Sequence, residues 1–378
     1  MAMPGLHSDV DPDGLREYSV VYTDRGLNHM SAKFQGVMRD ISATLKEVYA
    51  AEAVAVVPGS GTFGMEAVAR QFATDRKCLI IRNGWFSYRW TQILETGRIT
   101  PETIVLKAQP VSSERQPHFT PPPLDEVVAT IRNQQPAVVF VPHVETSAGM
   151  VLPTDYIKAV GDAVRDVDGL FVLDGIASGA IWVDMVKSNV DVLLSAPQKG
   201  WTGAPCAGLV MMGARAAERI TTTTSTSFAC DLGRWLDIMR AYETGAHAYH
   251  ATMPTNGLAT FRDAMHATRA FGFDQAQDAQ EDLGRRVRQL LTDRGFKSLA
   301  EPHFGAPGVV VCYTDDPTLH NGQSFARQGI QIAAGVPLQC DEPKDFQTFR
   351  IGLFGLDKLQ HIDRTVSVLQ TALDTMSD

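Results

Sequence analysis

No run of about 18 apolar residues interrupts this chain, so no segment of it reads as a membrane-spanning helix. Cysteine is scarce. The five present, Cys78, Cys206, Cys230, Cys312 and Cys340, are odd in number and far apart. That pattern excludes a disulfide framework and suits free thiols in a reducing compartment. Neither C-x-x-C nor H-E-x-x-H occurs, so a structural or protease-type metal site has no support. His247 and His250 lie three apart but have no third ligand beside them. Clusters of Lys and Arg are missing too, and the net charge is −9. This argues against a nucleic-acid or anionic-membrane surface, though a local basic pocket for a small anion stays open. Met1 to Gly14 has no basic segment followed by an apolar one, as a secretion signal would, and no address motif ends the chain. The expectation is a soluble cytoplasmic protein.

The 378 residues, 44% of them apolar and 20% charged, are enough for two or three domains with a sizeable core. Short apolar runs alternate with helical patterns through the first 250 residues or so. Strands are expected at Ala53 to Val57, Cys78 to Ile81, Ile104 to Leu106, Ala137 to Val141, Leu170 to Leu173, Val190 to Leu194 and Leu209 to Met212. Helices are expected at Phe63 to Phe72, Leu124 to Gln134 and Thr154 to Val167. Strands apolar on both faces, separated by helices, predict an α/β domain with a mostly parallel sheet. Pro110 to Pro123 reads as a surface loop. After Asn256 the pattern changes to long helices at Leu258 to Phe271 and Ala279 to Arg294. In the second, Leu283, Val287, Leu290 and Leu291 share one face. Strands near Gly308 to Tyr313 and Phe349 to Ile351 and a closing helix at Leu359 to Met376 complete a smaller α+β unit. The division is an arm over 1–19, a large domain over 20–255 and a small domain over 256–378, with the arm packed on the small domain.

Four features carry chemistry. Pro58-Gly59-Ser60-Gly61-Thr62-Phe63-Gly64 follows a strand and opens a helix, whose free N–H groups and positive dipole end suit a phosphate. It also spells G-x-G-x-x-G, so a dinucleotide is a rival ligand. That reading wants an acid at the end of the next strand, where Arg82-Asn83 stands instead; an Arg there could suit a 2′-phosphate. Asp174 ends an apolar run, where ligands of α/β sheets collect, and its carboxylate can pair with a protonated pyridine nitrogen. Asp-Gly is equally ordinary turn chemistry. Lys199, in Ser195-Ala196-Pro197-Gln198-Lys199-Gly200, follows another apolar run on a loop fixed by Pro and Gly; such an amine forms a Schiff base with an aldehyde cofactor. Arg350 lies in the apolar strand Phe349-Arg350-Ile351-Gly352. A guanidinium there needs an anion, either a carboxylate ligand or a structural partner.

Together these residues resemble the class V aminotransferases of fold type I, in particular the alanine–glyoxylate / serine–pyruvate branch. The landmarks occur in order from Leu27: Leu27-Asn28-His29-Met30-Ser31, Gly59 to Thr62, Asn83-Gly84-Trp85-Phe86, His143-Val144-Glu145-Thr146-Ser147-Ala148-Gly149, Asp174 to Ser178, Gln198-Lys199, Tyr249-His250-Ala251-Thr252 and Arg350-Ile351-Gly352. The resemblance implies pyridoxal 5′-phosphate as cofactor and ping-pong transfer of an amino group from an amino acid to a 2-oxo acid such as glyoxylate or pyruvate. By the same resemblance Ser60, Gly61, Thr62 and Gln198 meet the phosphate, Phe86 stacks on the ring, Thr146 meets the ring edge near its hydroxyl, and Asp174 binds the ring nitrogen. Lys199 carries the cofactor and shuttles the proton, and Arg350 holds the substrate carboxylate. Tyr249 and Thr252 reach the phosphate of a neighbouring subunit, implying a homodimer with shared sites. The family's Gly-Pro-rich entry strand is missing from Tyr18 to Arg25, which leaves the substrate side chain open. Other readings weighed are a fold type I lyase or desulfurase, an NADP-binding oxidoreductase and a non-catalytic pyridoxal-phosphate-binding protein. Desulfurases place a His before the lysine and a Cys on a small-domain loop; here Gln198 precedes Lys199, and Cys340 lies in Pro337-Leu338-Gln339-Cys340-Asp341.

Overall fold

The computed structural model describes residues 9–377; the expectations for Met1 to Ser8 and for Asp378 lie outside them. The central element is a seven-stranded sheet of β1 (Ala53–Pro58), β2 (Cys78–Arg82), β3 (Thr103–Lys107), β4 (Val138–Pro142), β5 (Leu170–Asp174), β6 (Val192–Ser195) and β7 (Ala207–Met212). Their order across the sheet is β1-β7-β6-β5-β4-β2-β3. β7 runs antiparallel to both its neighbours and the other pairs are parallel. Every residue of β2, β4, β5, β6 and β7 is buried, so both faces of the sheet are covered, whereas β3 at the edge is half-buried throughout. Apolar runs without polar alternation thus mark the interior strands of a parallel sheet, as the sequence suggests.

One long helix precedes the sheet, and the two helices nearest the site start where strands end. α1 (Ala32–Tyr49) is capped by Ser31, whose side chain accepts from the Phe34 N–H. α2 (Gly61–Phe72) begins right after β1, and α3 (Trp85–Thr96) right after β2. α2 lies against β7 at van der Waals distance. A Cβ added to Gly208 would come within 2.8 Å of Gly64 N and of Ser60 O. Leu258, Phe261 and Met265 of the helix Thr255–Phe271 join the core of this sheet.

The second core is built by the helix Phe273–Thr292 on a three-stranded antiparallel sheet, with Thr348–Gly352 between Val309–Tyr313 and Ala333–Ala334. Leu283, Val287 and Leu291 bury their shared face against Val310, Cys312, Phe349 and Ile351. The expected single closing helix is two: Leu356–Gln360 and Ile362–Ser377. They break at His361, whose non-helical backbone (φ −133°, ψ 56°) interrupts the ladder while its carbonyl accepts from the Thr365 N–H to start the next turn. The expected loop at Pro110 to Pro123 contains a short pairing of Gln109–Pro110 with Phe119–Thr120. The arm also differs from expectation. Val10 rests on the core of the large domain and its carbonyl accepts from the Lys33 amine of α1.

Gly208→Ala should force β7 and α2 apart and cost about 1–3 kcal/mol, the usual penalty of overpacking. Urea unfolding checks this; an unchanged midpoint would mean that the contact yields freely.

Candidate active site

The loops after β1, β4, β5 and β6 leave the sheet at the carboxyl ends of parallel strands, the edge where α/β proteins gather ligands. They enclose a cavity of about 210 Å³. Ser60, Gly61, Thr62, Phe86, Thr146, Asp174, Gln198 and Lys199, all anticipated from the sequence, line it together. Met65, Arg89, Val144, Ile176 and Ala177 complete the wall.

At one end stands the N-terminus of α2. The Ser60 side chain makes no capping bond, so the first N–H groups of the helix remain available to a ligand. A Cβ at Gly61 would lie 2.7 Å from Ile176 Cδ1, so only glycine keeps this corner open. The Gln198 Oε1 atom is buried without a partner beside it. Arg89 of α3 reaches in and donates from Nη1 to Thr62 Oγ1 (3.1 Å).

At the other end Asp174 is buried, and its Oδ1 accepts from the Ile176 N–H (3.1 Å). Burial pushes its carboxyl up to about 7; neighbouring Glu145 adds to the rise, while the Ile176 N–H and Arg89 oppose it. A cationic ring nitrogen placed here would reverse that imbalance. Lys199 sits on a turn tied by Gly203 N–H to the Pro197 carbonyl (2.8 Å). Its Nζ lies 5.0 Å from the centre of the Phe354 ring. Burial, and then the charge of Arg350, lower its pKa, which enlarges the fraction of free amine.

Arg350 stands over the opposite side of the cleft, with Cζ 5.5 Å from the Phe86 ring centre. Its Nε donates to the Ala334 carbonyl (2.7 Å), fixing the fork. Among the described residues no carboxylate forms a salt bridge with it; Glu145 acts on it as a more distant charge, outweighed by burial. Tyr249 and Thr252 share a hydroxyl hydrogen bond of 3.1 Å, but they are not part of this cavity. Tyr249 is 54% exposed.

Two contributors were not singled out from sequence. Glu145, 1% exposed, accepts from the N–H groups of Phe86 (3.3 Å), Ser87 (2.8 Å) and Ser147 (3.0 Å) and from the hydroxyls of Ser87 and Ser147 (both 2.7 Å). It caps the helix carrying Phe86 and ties it to the loop carrying Thr146. Arg89 is the other. The usable signals were a Glu at the end of an apolar strand and an Arg three residues past the aromatic, on the same helix face.

The rival chemistries fare poorly. Arg82, the candidate for a 2′-phosphate, is buried under Tyr88 and donates to Thr91 Oγ1 (2.9 Å) and the Gln339 carbonyl (3.2 Å). Cys340 is buried, and its thiol is pushed up to about 12 chiefly by burial, the reverse of an activated sulfur nucleophile.

Residues 14–352 match the model of the family Aminotransferase class-V. The chain belongs to the class V aminotransferases. Related proteins span its length. The 2-aminoethylphosphonate–pyruvate transaminase 2 of Paraburkholderia xenovorans is 28% identical over 93% of this chain and 90% of its own. The soluble hydrogenase small subunit of a Synechococcus strain is 25% identical over 92% and 87%. Among solved structures, an alanine–glyoxylate aminotransferase of Nostoc superposes with a TM-score of 0.75 at 21% identity, covering 92% of this chain and 89% of that one. This aminotransferase is therefore an enzyme dependent on pyridoxal 5′-phosphate. The cavity suits that group: it offers an anion cradle at the helix N-terminus, a desolvated carboxylate and a desolvated amine.

A raised carboxyl pKa means that the ligand-free fold loses stability as pH climbs from near 4, the unfolded value, to about 7, and stays lower above it. Ligand-free Asp174→Asn should thus be more stable than ligand-free wild type at pH 8, by at most about 4 kcal/mol, with the gap narrowing toward pH 4. Urea titrations at several pH values test this. A gap independent of pH would show that Asp174 is not protonated in the folded chain.

Proposed function

We propose that this aminotransferase moves an amino group from an amino acid to a small 2-oxo acid such as glyoxylate or pyruvate, in two half-reactions at one site. The observation that carries this reading is that Lys199 and Asp174 line one cavity with Phe86, while Arg350, outside the cavity wall, stands 5.5 Å from the same Phe86 ring and acts electrostatically on Lys199. The acceptors are those named for the related enzymes.

In this reading Ser60, Gly61, Thr62 and Gln198 hold the cofactor's phosphate. Phe86 covers one face of the ring and Thr146 meets the edge near its hydroxyl. Asp174 keeps the ring nitrogen protonated, since an ionised partner is the only inexpensive neighbour for a buried carboxylate. Pyridoxal phosphate, when bound, supplies an aldehyde for the amino group and a ring that draws electron density from the substrate's Cα. Lys199 attaches the cofactor, and its amine, freed when the substrate arrives and low in pKa, takes the proton from the substrate's Cα and delivers it to the carbon that bore the cofactor's aldehyde, so that the amino group stays with the cofactor. Arg350 grips the substrate's anionic group in two-point fashion and so sets which Cα bond faces the amine. Its fork would accept a phosphonate as well as a carboxylate.

We also propose a homodimer in which the exposed Tyr249 and Thr252 face the partner's site. Leu15, Tyr18, Val20 and Phe228 expose further apolar surface that such an interface would cover. Five unpaired cysteines, four of them buried, favour a cytoplasmic setting. Among the described residues no helix is long and apolar enough to cross a membrane.

Borohydride treatment of the loaded enzyme followed by peptide mapping should find the pyridoxyl group on Lys199; a label on Lys187 would overturn the assignment. Single-turnover spectra with a panel of amino acids and 2-aminoethylphosphonate then identify the donor. Arg350→Ala should lower kcat/KM for the true donor by roughly a hundredfold, with Arg350→Lys between it and wild type, because lysine keeps the charge but not the fork. Donor affinity unchanged in Arg350→Ala would place the substrate's anion elsewhere.

A further inference from the structure

The proposed roles leave Arg89 without a task, although it lines the same cavity. Its Nη1 donates to Thr62 Oγ1 (3.1 Å), at the open N-terminus of α2. Among the described residues it forms no salt bridge, and the hydrogen bond it makes is to a neutral hydroxyl. A half-buried guanidinium in a cleft, facing free helix N–H groups of the same sign, is electrostatically incomplete. Asp174 is the acid on the cavity wall and belongs to the other end; it feels Arg89 only as a weak opposing charge, the last of its influences. Arg89 Cζ also stands 5.3 Å from the centre of the Phe86 ring, so the residue could merely steady that ring.

We propose that Arg89 is a ligand of the cofactor's phosphate, the charged member of a cradle otherwise made of neutral donors. The inference rests on the pyridoxal-phosphate reading of the site. It follows from charge count. A phosphate carries close to two negative charges, and Ser60, Thr62, Gln198 and the helix N–H groups supply partial charges only. Arg89 is the full positive charge nearest the Thr62 corner, while Lys199 is committed to the aldehyde. Thr62 would hold the guanidinium in place before the anion arrives, so little side-chain freedom is lost on binding.

The test compares two aldehydes that differ only in the phosphate, on ligand-free enzyme. Affinities of pyridoxal phosphate and of pyridoxal are measured from absorbance of the lysine-bound form, for wild type, Arg89→Met and Arg89→Lys. Arg89→Met keeps the apolar stem over Phe86 and removes the charge. It should weaken pyridoxal phosphate about ten- to hundredfold, the worth of a hydrogen bond to a charged group, and leave pyridoxal within about twofold. Arg89→Lys should fall between Arg89→Met and wild type. Inorganic phosphate should compete with pyridoxal phosphate less well in Arg89→Met than in wild type. Equal losses for both aldehydes would show that Arg89 acts through Phe86, and no loss for either would show that it is idle; both results overturn the proposal. Failure of wild type to take up either aldehyde would instead sink the cofactor reading beneath it.

Discussion

Asp174 ends β5 with its carboxyl out of water, and burial pushes it up to about 7. A charge there is stable only beside a cation, and among the described residues the cation that acts on it is Arg89, the least of its influences. The rest of the site answers to this imbalance. The cavity is shaped for a ligand that is cationic next to Asp174 and anionic next to α2. A phosphorylated pyridine has that polarity along its length. The same desolvation that makes Asp174 demanding makes Lys199 a better base, because burial acts on both and disfavours the charged form of each.

Holding such a ligand requires that its walls not move, and Glu145 fixes the wall bearing Phe86. One buried carboxylate satisfies three backbone N–H groups and two hydroxyls, so helix α3 and the loop after β4 are one rigid piece. The opposite wall is the strand of Arg350, from the second core. Its chain continues through Phe354, against the Lys199 amine, to Leu356, whose N–H donates to Thr202 Oγ1 (2.9 Å) beside the lysine turn. The residue that would grip the substrate and the residue that would move its proton are therefore braced by the same short segment.

Much of the architecture was legible because it depends on local pattern. Short, uniformly apolar runs bounded by turn residues, such as Leu170 to Leu173, suit interior strands, and the spacing of Leu283, Val287 and Leu291 suits one helix face. The closing helix departs from the single one its periodicity predicts, because His361 breaks it through backbone geometry, which apolar spacing does not record. Within the site, Asp174 is legible because it ends a strand, Lys199 because it lies on the Pro–Gly loop just past one, and Ser60 to Thr62 because glycines announce a tight approach.

What sequence could not decide was who meets whom. Glu145 gains its meaning from Phe86 and Ser87, 59 and 58 positions away. Arg89 gains its own from Thr62, 27 positions away. Their types are ordinary for a surface helix and a strand end, and only the order β5-β4-β2 brings α3 over the loop after β4. The chain's own composition determined the fold class, the chemistry of the amine and the carboxylate, and the place of each along the chain. The tertiary structure decided the desolvation that tunes them and the partners that aim them, because both depend on distances that contiguous residues do not set.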